Sequence, residues 1–353
     1  MLVSLPRRIF GLSALALLAT ASPGPAGAQA SAPAPAEPGE RTLAAGATEA
    51  WQHAETRMTL PPQVAGLTRV HVRDNGTAEL DVVTNYVNRD EGVIALVYIY
   101  RTMTPNVPLW FDRALDTIML PQQGVTAPRV TAFARPGASI ASGLRTATTD
   151  SVPGMRSTTL AILPLGSSWL VKIRLGSIRL DPAALDERMS AFIAALQWPA
   201  ETGTPHAAAP IEPCPTPLRL RPAHIVNAPM EDVLVDAATG SIEPDRDQPP
   251  PVYCREPGAT IERGVYRADG ATDSYLIALH DAGIAISVGE TLDLASLLGE
   301  RGGRHRYSVI LLERNSSSVY PSFDRLPPPD QALAVVRDAR SPLSTTAGAR
   351  ERR

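Results

Sequence analysis

The chain has 353 residues, of which 44% are hydrophobic and 34 are proline, and its formal net charge is −3 at pH 7. This length predicts about two domains, and the proline content predicts extended linkers. The acidic balance, with no stretch that interleaves arginines and aromatic residues, argues against nucleic-acid binding. Thirty-two of the 33 basic residues are arginine, and the single lysine is Lys172.

Residues 1–30 have the composition of a cleaved signal peptide. Arg7 and Arg8 precede an apolar run, and small residues ending in AGA and AQA follow. Signal peptidase accepts such A-x-A sites, so we expect cleavage near Ala28 or Ala30 and a periplasmic or secreted mature protein. The pair within RRIFG also resembles the twin-arginine export signal, so both export routes stay open. The apolar run is too short to span a bilayer, and no later segment approaches the required length of about 20 residues.

The two cysteines, Cys214 and Cys254, lie in the proline-rich stretches PCPTP and PPPVYCREP. In an oxidising compartment they are expected to form one disulfide. A redox pair needs C-x-x-C spacing and a zinc site needs four ligands at defined spacings, and neither pattern occurs. The six histidines are widely separated, and no two have a ligand-like spacing such as H-E-x-x-H. The sequence therefore predicts neither a metal nor another cofactor.

The first domain is predicted to follow a disordered, proline- and alanine-rich tether over residues 31–50. The runs LTRVHVR, ELDVVTNY and VIALVYIYR alternate as antiparallel strands do, and Asn75-Gly76 predicts a tight hairpin turn between the first two. VPLWFDRALDTIML repeats at helical spacing. Short strands at RVTAFAR, GLRTATT and STTLAILP lead to the strand SSWLVKIRL, and Asp181-Pro182 then begins an amphipathic helix that ends at Trp198.

This order predicts an α+β domain over residues 51–199, with helices packed on an antiparallel sheet. Together with the ending from WLVKIR to FIAALQW, the order over residues 55–199 resembles the PsbP-like fold of extrinsic photosystem proteins and their non-photosynthetic bacterial relatives. The resemblance implies an accessory, binding or envelope protein, and it transfers no functional residue.

A smaller β-rich domain is predicted over residues 223–338, after a Pro/Ala-rich linker at 200–222 to which the disulfide joins it. Strands are expected at EDVLVD, TIERGVYR, DSYLIALH, GIAISVG, RYSVILLER and SSVYPSF. Short helices are expected at LDLASLLGE and DQALAVVRD. Residues 339–353 form a basic segment that is predicted to be a disordered tail.

Two groups of residues are candidates for a functional site. His280 and Asp281 end an apolar strand, where a histidine beside a carboxylate can act as a general base, but a strand end followed by a turn explains the pair as well. Four aromatic residues either line an apolar binding pocket or belong to the core: Tyr98, Tyr100, Trp110 and Phe111.

Lys172 shares one face of its strand with Leu170 and Arg174. A lysine nucleophile needs desolvation or a neighbouring cation to lower its pKa, and water is expected around both basic side chains here. The sequence therefore predicts that Lys172 marks the outer face of the domain and that K172M leaves the fold nearly intact.

The sequence favours an exported, non-catalytic accessory protein of the cell envelope that binds a ligand or a partner protein. Nucleophile elbows, phosphate-binding loops and dinucleotide fingerprints are missing from the sequence. The alternative is an envelope hydrolase whose site lies between the domains and includes His280. A component of an envelope complex is a third hypothesis, and it predicts a large exposed apolar patch on the first domain.

Overall fold

The structure is a computed structural model, and it describes residues 41–121, 127–150, 152–201, 204–240, 248–291, 305–338 and 343–346. The predicted signal peptide and the predicted helix LDLASLLGE (residues 292–300) lie outside the described residues. Within the described residues, strands account for 37% and helices for 17%. The predicted α+β class is therefore wrong, and the fold is β-rich, with large antiparallel sheets.

The first sheet has nine strands among the described residues, in the order β1-β5-β6-β7-β11-β10-β9-β8, with β4 added beside β5. Its neighbouring strands are antiparallel. The strands are β1 (Arg41–Thr42), β4 (Gln63–Val64), β5 (Leu67–Asp74), β6 (Asp81–Asn88), β7 (Val93–Arg101), β8 (Thr131–Phe133), β9 (Gly143–Thr149), β10 (Ser157–Pro164) and β11 (Trp169–Ser177). A separate small hairpin pairs β2 (Trp51–Gln52) with β3 (Thr59–Leu60).

One face of the first sheet packs against helix α2 (Pro182–Ala195). Asp181 is the N-cap of this helix, and its carboxylate accepts the backbone N–H of Ala184 at 2.9 Å. The apolar stripe of the helix belongs to a buried cluster that also contains alternating residues of β7, β10 and β11. The predicted helix is confirmed, although it ends at Ala195 and not at Trp198. The core residues on this side include Val97, Ile99, Leu163, Val171, Ile173, Leu185 and Phe192.

The second sheet also has nine strands in the described part of the chain, in the order β12-β14-β15-β16-β17-β18-β19-β13, with β20 beside β19. The strands are β12 (Glu212–Pro213), β13 (Ile225–Val226), β14 (Tyr253–Arg255), β15 (Arg263–Ala268), β16 (Tyr275–Leu279), β17 (Ile284–Glu290), β18 (Tyr307–Leu312), β19 (Ser316–Phe323) and β20 (Leu343–Thr346). Helix α4 (Pro329–Asp338) packs on its outer face, as the pattern of DQALAVVRD predicts.

EDVLVD forms part of helix α3 (Met230–Gly240), so the prediction of a strand there is wrong. A five- or six-residue apolar alternation does not distinguish a strand from a helix, and Val233 and Ala237 lie one helical turn apart on the buried side. Glu231 and Asp232 in the first turn favour the helix because they face the positive end of its dipole.

The inner faces of the two sheets meet, and helix α1 (Val107–Met119) lies between them. Their shared cluster contains residues of β10, α1, β15 and β18. The second sheet, with α1, packs against the inner face of the first sheet, and α2 packs on the other face. The protein therefore has two stacked sheets rather than a single sheet covered by helices. This inner cluster includes Leu160, Ile162, Trp110, Phe111, Tyr266, Leu276 and Ile310.

The turn between β16 and β17 reaches across to the first sheet. Gly283 has φ +81°, and a Cβ there would lie 3.1 Å from the carbonyl oxygen of Arg101, so glycine permits both the turn and the close approach. The hydroxyl of Thr102 donates to the Gly283 carbonyl at 2.9 Å. Arg113 of α1 donates to the carbonyl of His280 at 3.1 Å. The two sheets are thereby joined by polar contacts as well as by apolar packing.

Lys172 lies at this junction and not on an outer face. Its ammonium donates to the carboxylate of Asp281 at 2.7 Å and lies 4.5 Å from the ring centroid of Tyr98. The prediction of a solvated Lys172 is wrong because the second sheet covers the face of β11 from which its side chain projects. The strand alternation itself is correct, but it does not tell which layer lies above each face.

The turn at Asn75-Gly76 and the limits of the tether and tail also differ from prediction. A six-residue segment, 75–80, joins β5 to β6, and the residues with positive φ are Ala78 and Glu79. Asp74 accepts the N–H groups of Gly76 and Glu79, which stabilises this wider turn. Residues 41–42 and 343–346, predicted to be disordered, pair as β1 and β20 with β5 and β19.

Candidate functional site

A cleft of about 1610 Å³ lies at the end of the first sheet where β7 leads into α1. It is lined by the loop between β2 and β3, the turn between β10 and β11, the chain after α2, and residues 248–253 before β14. Pockets for small molecules have roughly 300–1,000 Å³. The cleft is therefore large enough for an elongated ligand.

His53 fixes the loop between β2 and β3. Its Nδ1 accepts the backbone N–H of Thr56 at 3.1 Å, so the proton of the neutral ring lies on Nε2, which is 3.0 Å from the carbonyl oxygen of Glu79. The ring is 1% exposed, and this burial lowers the pKa of His53 even though nearby carboxylates act to raise it. His53 therefore joins two rims of the cleft as a neutral side chain.

Two tryptophans provide aromatic surface in the cleft. The ring of Trp169 contacts that of His53 edge to face at 4.7 Å, and its Nε1 donates to Glu55 at 3.1 Å. Trp198, just after α2, is half-buried and donates from Nε1 to the carbonyl of Ile193 at 2.9 Å. Both indole N–H groups are bonded within the protein, so the rings are held in fixed orientations. Trp198 offers apolar contact to the cleft, whereas Trp169 is 5% exposed and belongs mainly to the core.

Asn106 connects the start of α1 to a second wall of the cleft. Its Oδ1 accepts the N–H of Leu109 at 2.9 Å as the helix N-cap. Its Nδ2 donates to the carbonyl of Pro251 at 2.9 Å. The proline run at 249–251 is thereby positioned beside the helix N-terminus.

The chain after α2 forms the third wall. Arg135 donates to the carbonyl of Pro199 at 2.8 Å and pairs with Glu201 at 3.5 Å. Farther along, the N–H of Ala208 donates to the carbonyl of Ala141 at 2.9 Å. We call residues 204–211 (TPHAAAPI) the strap, because they run along the cleft to β12.

The lining is rich in proline and balanced in charge. Among the described residues that line the cleft, nine are proline. Proline offers an apolar ring and a carbonyl acceptor but no N–H donor. In the same part of the structure, three glutamates (Glu55, Glu79 and Glu201) balance three arginines (Arg57, Arg101 and Arg135). The cleft therefore has no net charge that would select an anionic or a cationic ligand.

Three buried polar atoms of lining residues have no hydrogen-bond partner among the described residues: Ser142 Oγ, Ser168 Oγ and His206 Nε2. Leaving such an atom unpaired costs about 1–3 kcal/mol, and few occur in native proteins. Other buried polar atoms without a partner in the described ranges lie away from the cleft, among them Tyr100 Oη and Thr159 Oγ1, so these three atoms do not by themselves mark a binding site.

The candidate residues suggested by the sequence lie elsewhere. His280 is exposed with φ +51°, and its ring forms no hydrogen bond with any residue in the described ranges. Asp281 is paired with Lys172 rather than with His280. The four aromatic candidates belong to the region between the sheets and are not among the described residues that line the cleft: Tyr98, Tyr100, Trp110 and Phe111.

The lining residues that the sequence-based argument missed are His53, Trp169, Trp198 and Arg135. Residues 200–222 have the composition of a linker, yet the strap within them lies against the first sheet. The sequence did contain one signal for this arrangement, since prolines surround both cysteines. A disulfide between two such stiff segments requires them to lie side by side. The predicted disulfide is confirmed, with the Cα atoms of Cys214 and Cys254 4.8 Å apart.

No protein-family model, curated protein or solved structure matches the chain. The resemblance of residues 55–199 to the PsbP-like fold therefore stays a prediction. Among the described residues, no group of three or more His, Cys, Asp and Glu side chains is arranged to hold a metal ion. In the same ranges, none of the helices has the length and apolar character needed to cross a membrane.

Proposed function

We propose that this protein is an exported accessory protein of the cell envelope, and that its cleft binds an extended, uncharged segment of polypeptide without catalysing a reaction. The observation that carries the proposal is the 1610 Å³ cleft with its proline-rich, charge-balanced lining. A cleft of this volume, with many proline residues and three aromatic rings in its lining, offers many weak contacts to a chain-like ligand.

Polypeptide is the favoured ligand class because extended, proline-rich peptides bind in grooves that are lined by aromatic side chains. Trp198 and Tyr253 are half-buried at the edges of the cleft, where their rings can pack against such a chain. The strap is an uncharged segment of three alanines, two prolines, Thr204, His206 and Ile211, and it forms one wall of this cleft. An extended peptide beside it meets small apolar side chains and proline rings rather than charges.

Two observations support export. Residues 1–30 have the basic, apolar and small-residue order of a signal peptide, and the single cysteine pair is joined in a disulfide. Disulfides persist mainly in oxidising compartments such as the periplasm or the extracellular space. Binding rather than hydrolysis is favoured because His280 is exposed away from the cleft and both ring nitrogens of His53 are engaged in hydrogen bonds.

A binding experiment tests the cleft. Ala209 is exposed in the strap and lines the cleft, whereas Ala183 is exposed on α2 outside it. In calorimetric titrations with a ten-residue alanine–proline peptide, we expect A209W to bind at least tenfold more weakly than the wild type. The same change at the matched position, A183W, should leave the affinity unaltered.

Equal binding by all three proteins would locate the peptide outside the cleft and contradict the proposal. The absence of binding to the wild type would also contradict it. Peptides of the same length that alternate glutamate or lysine with proline report on charge. Both should bind more weakly than the alanine–proline peptide. Their charged side chains lose hydration in the cleft, and the lining has no net charge to compensate for that loss.

Export is tested separately by expressing the full chain in a Gram-negative bacterium and sequencing the N-terminus of the periplasmic protein. A mature chain that starts just after Ala28 or Ala30 is expected. The double variant R7K/R8K distinguishes the routes, since it should block twin-arginine export and leave ordinary export active. Recovery of the uncut chain from the cytoplasm alone would contradict export.

A further inference from the structure

We propose that residues 31–40 (SAPAPAEPGE) bind in the cleft of the same molecule and compete there with its peptide ligand. We call these residues the leading segment, and they lie outside the described residues. The inference deepens the proposed function, on which it rests for the class of ligand. It makes the protein self-inhibited, because a peptide enters the cleft only by displacing the leading segment.

The point where the leading segment joins the described structure lies close to the cleft. β1 begins at Arg41, which pairs with Asp74, the last residue of β5. Paired strands lie about 4.8 Å apart. The carboxylate of Asp74 accepts the N–H of Glu79 at 3.0 Å, and Glu79 lines the cleft. The leading segment therefore joins the fold beside the 75–80 turn, which forms a rim of the cleft.

The direction of β1 points the leading segment toward the cleft. Because β1 is antiparallel to β5, the chain before Arg41 continues past the end of β5 toward the 75–80 turn. The cleft lies at this same end of the first sheet, since β7 ends at Arg101, β11 begins at Trp169, and both residues line the cleft. A parallel β1 would direct the segment toward the opposite end of the sheet.

The leading segment is long enough to reach into the cleft. A chain in the polyproline II conformation rises about 3.1 Å per residue, so residues 37–40 cover about 12 Å from Arg41. This reach exceeds the spacing between two paired strands. Residues 31–36, which are about 19 Å long in the same conformation, are therefore available to the cleft.

The composition of the leading segment matches the cleft lining. Residues 31–36 (SAPAPA) carry no charged side chain and include two prolines, as the proposed ligand does. The lining is balanced in charge, and the half-buried rings of Trp198 and Tyr253 can pack against prolines. The two glutamates of the segment, Glu37 and Glu40, lie in the part next to β1, so their charges can stay outside the cleft.

Covalent attachment to β1 favours binding within one molecule. A ligand joined by a short flexible linker has an effective concentration in the millimolar range. A segment that makes only weak contacts therefore still occupies the cleft for much of the time. A peptide in solution then binds with a lower apparent affinity, because it competes with the attached segment.

Two matched double variants of the mature protein test the proposal. A34E/A36E places charges in the uncharged part of the leading segment, and the desolvation of these charges opposes binding in the cleft. A347E/A349E makes the same change at the same spacing outside the segment. In hydrogen exchange followed by mass spectrometry, amides of the strap and of the β2–β3 loop should exchange at least threefold faster in A34E/A36E than in the wild type. A347E/A349E should match the wild type, and amides of β16 and β17 should be equal in all three proteins.

Titration with the ten-residue alanine–proline peptide measures the competition. A34E/A36E should bind this peptide at least fivefold more tightly than the wild type, and A347E/A349E should bind it as the wild type does. The wild type should still bind, because competition by the leading segment weakens the binding of the peptide without preventing it.

Equal exchange of the strap amides in A34E/A36E and the wild type would overturn the proposal. Equal peptide affinities of the two proteins would also overturn it, but would leave the proposed function intact. Protection that decreases when the wild type is diluted tenfold would assign the occupant to a second copy of the chain and contradict binding within one molecule. If A34E/A36E shows faster exchange but none of the proteins binds the peptide, the proposed function fails and the binding of the leading segment stands.

Discussion

Lys172 and Asp281 form an ion pair in the region where the two sheets meet. The lysine side chain is 8% exposed and that of the aspartate 23%. Burial alone would raise the pKa of Asp281, but the ammonium of Lys172, with help from Arg174 and Arg113, holds it below its ordinary value. The rings of Tyr98 and Tyr100 add cation–π contact at 4.5 and 5.8 Å.

We therefore expect K172M to destabilise the protein, contrary to the prediction from the sequence alone. The change leaves a partly buried carboxylate without its nearest counter-charge. The expected loss of unfolding free energy is about 1–3 kcal/mol. This loss is smaller than for a fully buried ion pair, because Asp281 is partly exposed. Urea unfolding of K172M, D281N and the double variant measures the coupling between the two side chains.

R89M is the matched control for this cycle, because Arg89 is exposed in the turn between β6 and β7. Its unfolding free energy should stay within about 0.5 kcal/mol of the wild-type value. A K172M value as small as that of R89M, with no coupling in the double variant, would show that the ion pair contributes nothing to the packing of the sheets.

At the scale of elements, the β2–β3 hairpin illustrates how one buried side chain positions a rim of the cleft. The hairpin is short, and strand pairing between only two residues on each side is weak by itself. His53 binds the loop to the 75–80 turn, and the N–H of Thr59 donates to the carbonyl of Gln197 at 3.1 Å. The hairpin therefore depends on tertiary contacts, which the local sequence does not reveal.

This arrangement predicts an acid-sensitive fold. Because the pKa of folded His53 is below the ordinary 6.5, the unfolded chain binds a proton that the folded protein excludes, so the contribution of His53 to stability is present above about pH 6.5 and falls as the pH drops below it. The unfolding free energy of H53Q should fall less than that of the wild type between pH 7.5 and 5.

H224Q is the control, since His224 is exposed and its variant should keep the acid sensitivity of the wild type. Burial raises the pKa of Asp116 to about 6, which stabilises the fold at low pH, but this effect is common to all three proteins and cancels in the comparison. Parallel pH profiles for H53Q and the wild type would show that His53 does not cause the acid sensitivity.

At the scale of the whole molecule, the two sheets share one apolar cluster and several buried polar contacts. Arg113 is fully buried on α1 and donates to the carbonyls of Thr260 and Ile261 at 3.0 and 2.9 Å, in addition to that of His280. Asp81 and Arg314 form another ion pair between the sheets. Separation of the sheets would expose these groups together with the apolar residues of α1.

We therefore expect the two sheets to unfold in one cooperative transition. All four tryptophans lie before residue 199, so their fluorescence reports on the first sheet and, through Trp110, on its contact with the second. The free energy from a urea titration followed by this fluorescence should equal the opening free energy measured by hydrogen exchange at β17 amides in the second sheet. A β17 value several kcal/mol lower would mean that the second sheet opens independently.

Much of the fold could be predicted from local pattern. The alternation in VIALVYIYR and SSWLVKIRL and the capped apolar stripe after Asp181 correctly predict β7, β11 and α2, because each signal depends on neighbours within a few residues. EDVLVD failed because its pattern fits a helix and a strand equally. The candidate site could not be predicted, since His53, Trp169 and the strap come together only by folding over more than 100 residues of chain.

The alternating strands, the capped helix and the cysteine pair follow from the sequence alone, because side-chain period and caps act locally and two cysteines leave one choice of partner. The cover of the Lys172 face by a second sheet, and the wall that a proline-rich segment forms in the cleft, became known only from the folded protein. A strand's pattern shows which residues share a face, whereas the burial of that face depends on the layer that packs against it.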